Sequence, residues 1–230
     1  MPSFAVLFDM DGLMLDTERL AHRAWTQAMM ERGYTLDETA YLRLVGRTAA
    51  DVQGILSEIF GDTIPYAEIY ARRRALYDAE IAANGVAIKP GLLELLDFLE
   101  EHQVPKAVAS STHRPIVVMK LSMVGVAGRF PVMVGGDQVA HGKPAPDLFL
   151  EAARLLGFSP HQCLVLEDSE AGVLAAHRAG MLPVMVPDMK QPDTETARIA
   201  YRVVPSLSDV IPLVEMFLCA GLPDASTGVE

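Results

Sequence analysis

The residues best suited to chemistry are two aspartates, Asp9 and Asp11, that directly follow a short apolar run. They begin the string DMDGLMLDT, residues 9–17. Two carboxylates two residues apart at the end of a strand can diverge into separate chemical roles, and Gly12 gives the backbone the freedom that a tight turn needs. The Asp-x-Asp pattern alone is more typical of a polar turn with capping carboxylates, so its meaning depends on what else the chain carries.

Three further groups of polar residues stand beside apolar runs or helices. Ser110 and Ser111 follow a second apolar run, where a hydroxyl and neighbouring backbone N–H groups can bind phosphoryl oxygens. Lys143 precedes a helix, and its ammonium can neutralise the charge of a transferring phosphoryl group. Glu167 and Asp168 follow another run and offer the hard oxygen ligands that suit Mg²⁺. Taken singly, helix caps and a surface lysine are the commoner explanations.

Taken together, four strings carry more information than any one of them. They are DMDGLMLDT at 9–17, ASST at 109–112, GKPAPD at 142–147 and LEDSEAG at 166–172. In this order the chain resembles the haloacid dehalogenase-like hydrolase superfamily, and within it the β-phosphoglucomutase-like phosphatases and mutases. The resemblance covers nearly the whole chain. It implies an α/β fold, a Rossmann-like parallel sheet covered by helices, with an inserted all-α helical cap domain.

The resemblance also implies catalytic roles. Asp9 would be the nucleophile that forms an aspartyl phosphate, which water then hydrolyses. Asp11 would be the general acid and base, first protonating the leaving oxygen and then deprotonating the water. Ser110, Ser111 and Lys143 would bind the phosphoryl group. These roles describe phosphoryl transfer that depends on positioning and charge stabilisation.

Mg²⁺ is the cofactor that the resemblance implies. Its ligands would be the Asp9 carboxylate, the Asp11 backbone carbonyl and Asp168, with Glu167 adjacent or bound through water. Crowded carboxylates would otherwise repel one another and a phosphate ester. Mg²⁺ and Lys143 would offset that repulsion.

A parallel sheet would position these residues. Short apolar runs at 4–8, 104–109, 132–134, 163–166 and 182–186 alternate with segments of helical character, which is typical of such a sheet covered by helices. Apolar residues at helical spacing mark three of the helices. One has its stripe at Leu92, Leu95, Leu96 and Leu99, a second runs from Pro144 to Gly157 with Leu148, Ala152 and Leu155 in the stripe, and a third runs from about Ser169 to Gly180.

Residues 16–84 break the alternation, because helical periodicity there is not interrupted by any strand-like run. We predict a catalytic α/β core of residues 1–15 and 85–230 and a helical cap of residues 16–84. By the resemblance, such a cap is mobile and closes over the site.

Two arginines of the predicted cap are candidates for substrate contact. Arg73 lies at i+7 from Tyr66, i+3 from Tyr70 and i−4 from Tyr77, so it shares an aromatic face with them. It also falls roughly where the sugar-phosphate mutases of this family carry a substrate-contacting lysine. Arg47, on what the resemblance implies is a loop dipping toward the site, is the second candidate.

Charge and composition narrow the range of partners. The chain has 19 Lys and Arg against 30 Asp and Glu, a formal charge of -11. This charge disfavours nucleic acids and anionic membranes, and no apolar stretch approaches the roughly 18 residues that span a bilayer. Two cysteines outside any metal pattern, with no signal peptide, favour a cytoplasmic protein. We expect a small phosphorylated metabolite as the partner, and the sequence is compatible with a monomer.

A Mg²⁺-dependent phosphatase of a small phosphorylated metabolite, such as a sugar phosphate, is the leading hypothesis, and three alternatives stay open. A β-phosphoglucomutase-like isomerase would use the same aspartyl phosphate, but that enzyme's hinge histidine aligns with Ala21 and its cap-loop arginine with Ala49. Carbon–halogen hydrolysis is the next alternative. By the resemblance, the enzymes that catalyse it lack the counterparts of Asp11 and Asp168, which this chain has. A catalytically silent module that senses a phosphometabolite would have no need for the intact set of motif residues.

Overall fold

A computed structural model describes residues 2–47 and 49–223. The chain divides into two compact units. One, the α/β unit, consists of Met1–Leu15 and Ala87–Glu230, and the other, the helical unit, of Asp16–Val86.

The α/β unit is built on one parallel sheet of six strands among the described residues. The strands are β1 (Ala5–Phe8), β2 (Lys106–Ser110), β3 (Val132–Gly135), β4 (Cys163–Glu167), β5 (Leu182–Met185) and β6 (Arg202–Val203), in the spatial order β3-β2-β1-β4-β5-β6. The five predicted strands are confirmed. The sequence did not indicate β6, because it has only two residues and both are exposed.

The α-helices lie between the strands, after β6 and in the helical unit. In chain order they are α1 (Thr17–Met30), α2 (Glu38–Leu42), α3 (Ala49–Phe60), α4 (Tyr66–Asn84), α5 (Leu92–Glu101), α6 (Arg114–Met123), α7 (Asp147–Leu156), α8 (Glu170–Arg178), α9 (Thr194–Ile199) and α10 (Ile211–Ala220). The described residues of the helical unit contain α1 to α4 and no strand.

Both faces of the sheet are buried, which explains why its central strands read as continuous apolar runs. Ala5 and Leu7 of β1 face a cluster that includes Phe149 of α7. Phe8 points to the opposite face, as alternation along a strand requires, and packs edge-to-face on Phe130 with the ring centroids 5.6 Å apart. The same alternation through β2 and β4 gives the unit a two-sided core.

The register of the sheet places the functional motifs side by side. Leu7 of β1 lies opposite Ala107 of β2 and Val165 of β4. The carboxyl ends of β2, β1 and β4 are therefore neighbours at one edge of the sheet. In open parallel sheets this edge is where ligands bind.

The helix stripes are mostly as predicted. All four leucines of the α5 stripe are buried, and Gly157 ends α7 in the left-handed conformation. The prediction for Leu155 was wrong: it is 45% exposed, and Phe149 and Ala153 are buried with Leu148 and Ala152. The buried face of α7 is therefore rotated toward these two residues.

Candidate active site

Asp9 stands where β1 ends. Its backbone N–H donates to the carbonyl of Leu166 at 3.0 Å and so continues the pairing with β4. The side chain is only 10% exposed. The chain then turns tightly, because the N–H groups of Met14 and Leu15 both donate to the carbonyl of Met10. This turn keeps Asp11 at the same edge of the sheet as Asp9.

Lys143 lies between two carboxylates. Its Nζ donates to Asp9 Oδ1 at 2.5 Å and also contacts Glu167 Oε1. The lysine side chain is 6% exposed, and Nζ lies 4.8 Å from the centroid of the Phe149 ring. A buried ammonium is stable only when it is paired and hydrogen-bonded, and here two carboxylates provide the pairing.

Burial sets the electrostatics of the pair. It raises the pKa of Asp9 to about 7, against the lowering effect of Lys143, and the charges of Glu167 and Asp11 raise it further. Burial lowers the pKa of Lys143, but Asp9 and Glu167 more than offset that effect, so the pKa is raised overall. Lys143 therefore stays charged, whereas Asp9 keeps a proton at a pH where an exposed aspartate would be an anion.

Glu167 has its oxygens occupied by protein groups. It is completely buried, Oε1 contacts Lys143, and Oε2 accepts hydrogen bonds from the backbone N–H and the hydroxyl of Ser169, both at 2.9 Å. Gly172 allows this packing, since a Cβ there would lie 1.8 Å from Oε1. In the structure Glu167 therefore holds Lys143, and its place beside the metal or bound to it through water stays a prediction.

Asp11 is held by two side chains, Lys120 and Thr112, whose role could not be read from the sequence. Lys120 Nζ donates to Oδ1 at 2.7 Å, and Thr112 Oγ1 donates to Oδ2 at 2.8 Å. Thr112 ends the ASST string, but Lys120 lies in no motif. The one available signal is a lysine inside the apolar sequence of α6, which is 5% exposed in the structure.

The predicted phosphate-binding serines lie at the end of β2. Ser110 is buried, with 1% of its surface exposed, and its Oγ accepts a hydrogen bond from the backbone N–H of Thr112 at 3.1 Å. Ser111, the next residue, is exposed. The loop that begins here therefore carries both serines and one of the groups that hold Asp11.

The donor set at this edge fits a divalent cation. Asp168 packs against the turn after β1, since a Cβ on Gly12 would lie 2.1 Å from its Oδ2. Once Asp9 is ionised, the carboxylates of Asp9, Asp11, Glu167 and Asp168 carry four formal negative charges, and Lys120 and Lys143 carry two positive ones. A net formal charge of −2 remains, which a Mg²⁺ ion bound by oxygen ligands would neutralise.

The predicted ligands are two side chains and one backbone carbonyl. In the part of the chain that the structure describes, no group of three or more His, Cys, Asp or Glu side chains is arranged to hold a metal. A set that relies on the Asp11 carbonyl, and on substrate oxygens and waters for its remaining positions, does not need such a group.

The two cap candidates line one cavity within the helical unit, with a volume of about 250 Å³. The lining also includes Glu18, Ala21, Trp25, Tyr41, Leu44, Val45, Gly46, Val52 and Tyr70. The guanidinium of Arg73 lies 5.0 Å from the centroid of the Tyr77 ring and 5.7 Å from that of Trp25, so the predicted contact with Tyr77 is present. Arg73 Nε is buried and has no hydrogen-bond partner among the described residues.

Arg72 and Arg74, the sequence neighbours of Arg73, have other partners. Arg72 forms a bidentate pair with Glu31 at 2.7 and 2.9 Å, and Arg74 lies 3.8 Å from Asp78. Both are exposed.

Among the described helices, none is both long and apolar enough to cross a lipid bilayer.

Comparisons with known proteins agree with this geometry. The family model described as haloacid dehalogenase-like hydrolase matches residues 6–186. The fructose-1-phosphate phosphatase YqaB of Escherichia coli is 33% identical over 76% of the chain and 92% of its own length. The bifunctional riboflavin kinase/FMN phosphatase of Arabidopsis thaliana is 32% identical over 90% of the chain, which spans only 54% of that longer protein.

A solved structure adds the fold. The crystal structure of a hydrolase of the same family from Deinococcus radiodurans, with bound phosphate and sodium, is 30% identical and superposes with a TM-score of 0.79 over 94% of this chain and 97% of that one. The motifs, the strand order and the family match lead to one conclusion. The chain belongs to the haloacid dehalogenase-like hydrolase family.

Proposed function

We propose that the chain is a phosphoric monoester hydrolase that acts on a small phosphorylated metabolite, with a sugar phosphate as the best supported class. The observation that carries this proposal is the arrangement around Asp9: a buried carboxylate at the end of β1, bound by Lys143, with Asp11 two residues further on. This arrangement supplies a nucleophile, a fixed positive charge and a second carboxylate for proton transfer.

In the first half of the reaction, Asp9 attacks phosphorus and the bond to the leaving oxygen breaks. Asp11 gives its proton to that oxygen, so a neutral alcohol departs and an aspartyl phosphate remains. In the second half, Asp11 takes a proton from water as the water oxygen attacks phosphorus, which frees the Asp9 carboxylate and inorganic phosphate. Lys143 neutralises charge on the phosphoryl oxygens throughout, and the Ser110–Ser111 loop binds them.

Magnesium is the cofactor that the donor set suits. Asp9, the Asp11 carbonyl and Asp168 would hold it, while Glu167 holds Lys143. When bound, it supplies positive charge for the phosphoryl oxygens. It also favours the anionic form of Asp9, because a nearby cation opposes the effect of burial on that carboxyl.

We also propose that residues 16–84 form the cap that selects the substrate, with the Arg47 and Arg73 cavity contacting the part of the substrate beyond the phosphate. A buried guanidinium donor without a partner supports this role, since it could donate a hydrogen bond to a hydroxyl or carboxylate oxygen of the substrate. The name of the Escherichia coli relative, a fructose-1-phosphate phosphatase, supports the sugar-phosphate class. A cytoplasmic location fits the two free cysteines.

The test is phosphate release from p-nitrophenyl phosphate and a panel of phosphorylated metabolites, with Mg²⁺ and with EDTA. We expect release by the wild type in Mg²⁺, loss of it in EDTA, and a drop of at least about a thousandfold in Asp9→Asn, which lacks the nucleophile. Circular dichroism would check that this variant is folded. No release by the wild type, or equal rates for Asp9→Asn, would refute the phosphatase.

A phosphomutase is the second candidate, because two arginines line one cavity and could grip the second phosphate of a bisphosphate intermediate. The decisive substrate is glucose 1-phosphate with a trace of glucose 1,6-bisphosphate. We expect free phosphate to form faster than glucose 6-phosphate. The opposite order would make the chain a mutase.

A further inference from the structure

Lys120 is a buried lysine that the proposed reaction does not yet use. It lies on α6 in the sequence IVVMKLSM, and its side chain is 5% exposed. An ammonium group in such surroundings is costly unless it is paired and hydrogen-bonded. Its Nζ donates to Asp11 Oδ1 at 2.7 Å, across 109 positions of sequence. The fold, and not the local sequence, therefore creates this pair.

Thr112 contacts the other oxygen of the same carboxylate. Its Oγ1 donates to Asp11 Oδ2 at 2.8 Å, so each Asp11 oxygen accepts one hydrogen bond from the segment that follows β2. Rotation of the carboxylate about its Cβ–Cγ bond would stretch both contacts at once. Each oxygen keeps a second lone pair, which can carry or receive a proton.

We propose that Lys120 is a positioning residue, which together with Thr112 holds the Asp11 carboxylate in the orientation from which it exchanges a proton with the leaving oxygen. This inference rests on the proposed function, in which Asp11 is the general acid and base. As the bond from Asp9 to phosphorus forms, the bond to the leaving oxygen breaks and the Asp11 proton moves to that oxygen. Lys120 keeps its own protons and forms no bond to phosphorus.

The proposal predicts a dependence on the leaving group. An alkoxide needs a proton to depart, whereas p-nitrophenolate departs readily without one. A positioned acid contributes about 10²- to 10⁴-fold to such a step. Loss of Asp11 positioning should therefore lower kcat/KM for an alkyl phosphate and spare kcat/KM for p-nitrophenyl phosphate. This ratio covers the steps up to departure of the leaving group and not the later attack of water, in which Asp11 acts as the base.

The experiment measures kcat/KM of Lys120→Met, which keeps most of the side-chain length without the charge. The two substrates are p-nitrophenyl phosphate and the sugar phosphate that the wild type hydrolyses fastest. We expect at least about a tenfold loss on the sugar phosphate and less than about threefold on p-nitrophenyl phosphate. On the sugar phosphate the loss should lie in kcat and not in KM. Lys120→Arg should recover part of it.

Lys106 provides a matched control. It is also a buried lysine, 7% exposed, and its Nζ lies 3.0 Å from Glu100 Oε1, on the strand that leads into the Ser110 loop. Lys106→Met should change both substrates by the same factor. If Lys120→Met also changes both equally, or neither, the proposal is wrong.

Two further measurements keep the outcome decisive. If circular dichroism finds Lys120→Met unfolded, Thr112→Val removes the other contact to Asp11 and must give the same selective loss; equal losses on both substrates would overturn the proposal. A wild type that releases no phosphate from either substrate would instead refute the proposed function.

Discussion

At the scale of single residues, Asp9 combines two conflicting requirements. In the proposed reaction Asp9 must be an anion to attack phosphorus, yet burial of this carboxyl raises its pKa to about 7. Lys143 offsets part of that effect, but Glu167 shares the same lysine. The protein alone therefore does not fully stabilise the anionic form of Asp9 that the proposed reaction needs. Such a conflict between function and stability is expected at an active site.

This conflict predicts a pH-dependent cost in stability. The folded chain binds the Asp9 proton more tightly than the unfolded chain, so the contribution of Asp9 is fully present below its ordinary pKa of 3.8 and is lost as pH rises through about 7. In EDTA, Asp9→Asn should gain stability relative to the wild type by up to about 1.4 kcal/mol per pH unit across this window. Urea denaturation between pH 4.5 and 8 measures the difference.

Asp193 supplies a control of opposite sign. It caps α9, and its hydrogen bond from the backbone N–H of Thr196, at 2.7 Å, lowers its pKa. Its stabilising effect is therefore present above the ordinary pKa of an aspartate and is lost at lower pH. The difference between Asp193→Asn and the wild type should stay constant from pH 5 to 8. A constant difference for Asp9→Asn as well would contradict the raised pKa.

At the scale of elements, the turn after β1 determines where Asp168 can lie. Gly12 has a φ of +86°, and a Cβ there would lie 2.1 Å from Asp168 Oδ2. The turn thus needs glycine for two reasons, its backbone conformation and the close approach of a carboxylate from the end of β4.

Gly12→Ala tests both reasons, because the backbone conformation should affect stability and the approach of Asp168 should affect activity. The positive φ costs about 1–2 kcal/mol for a residue with a Cβ. The displaced Asp168 should in addition lower activity by about 10- to 100-fold and raise the Mg²⁺ concentration that gives half-maximal rate. Phosphate release across a Mg²⁺ titration, together with urea denaturation, measures both effects.

Gly157 is the matched control for this substitution. It has a φ of +81° at the end of α7, and a Cβ there would meet nothing within 4 Å. Gly157→Ala should lose similar stability but keep the wild-type activity and Mg²⁺ requirement. Equal activity in the two variants would show that Asp168 tolerates the added methyl group.

Elements could be predicted from the sequence where one pattern dominated. The central strands are uniformly apolar and end in motif residues, so their positions were predictable. On α7, both 148–152–155 and 148–149–152–153 give an apolar face, and only the packing against the sheet decides between them. The short strand β6 has no buried residue and therefore no apolar signal.

At the scale of the whole molecule, phosphoryl chemistry and substrate choice are proposed to belong to different units. If the helical unit selects the substrate, Arg73→Met should raise KM for the preferred sugar phosphate by about 10- to 100-fold, because a charge-assisted hydrogen bond is lost. Hydrolysis of acetyl phosphate, which has no sugar to contact, should change little. Steady-state kinetics on both substrates measures the contrast.

Arg74→Met removes the same charge from the same helix at an exposed position, where Arg74 pairs with Asp78. It should leave KM for both substrates unchanged. If Arg73→Met and Arg74→Met behave alike, or if acetyl phosphate is affected as strongly as the sugar phosphate, the cavity is not the selecting site.

The sequence allowed the candidate site to be predicted in outline but not in its supporting contacts. Residues at strand ends could be grouped, because parallel strands bring their carboxyl ends to one edge. The contact of Lys120 with Asp11 could not be predicted, because a lysine on a helix is ordinarily solvated and no nearby residue in the sequence indicates its partner. The contacts of Glu167 with Lys143 and Ser169 could not be predicted either, because they depend on the close packing around Gly172.

Leu15 pairs with Ile88, and the Lys89 N–H donates a hydrogen bond to the Met14 carbonyl at 2.9 Å. These contacts bear on which inserted segments the chain can accept. The points where the chain leaves and re-enters the α/β unit are fastened to each other. The segment between them is thus an insertion whose two ends lie side by side. Doubling its length would raise the free-energy cost of closing the loop by only about 0.6 kcal/mol. If residues 16–84 select the substrate, grafting a different helical segment between Leu15 and Ile88 should leave the sheet intact and change the range of substrates hydrolysed.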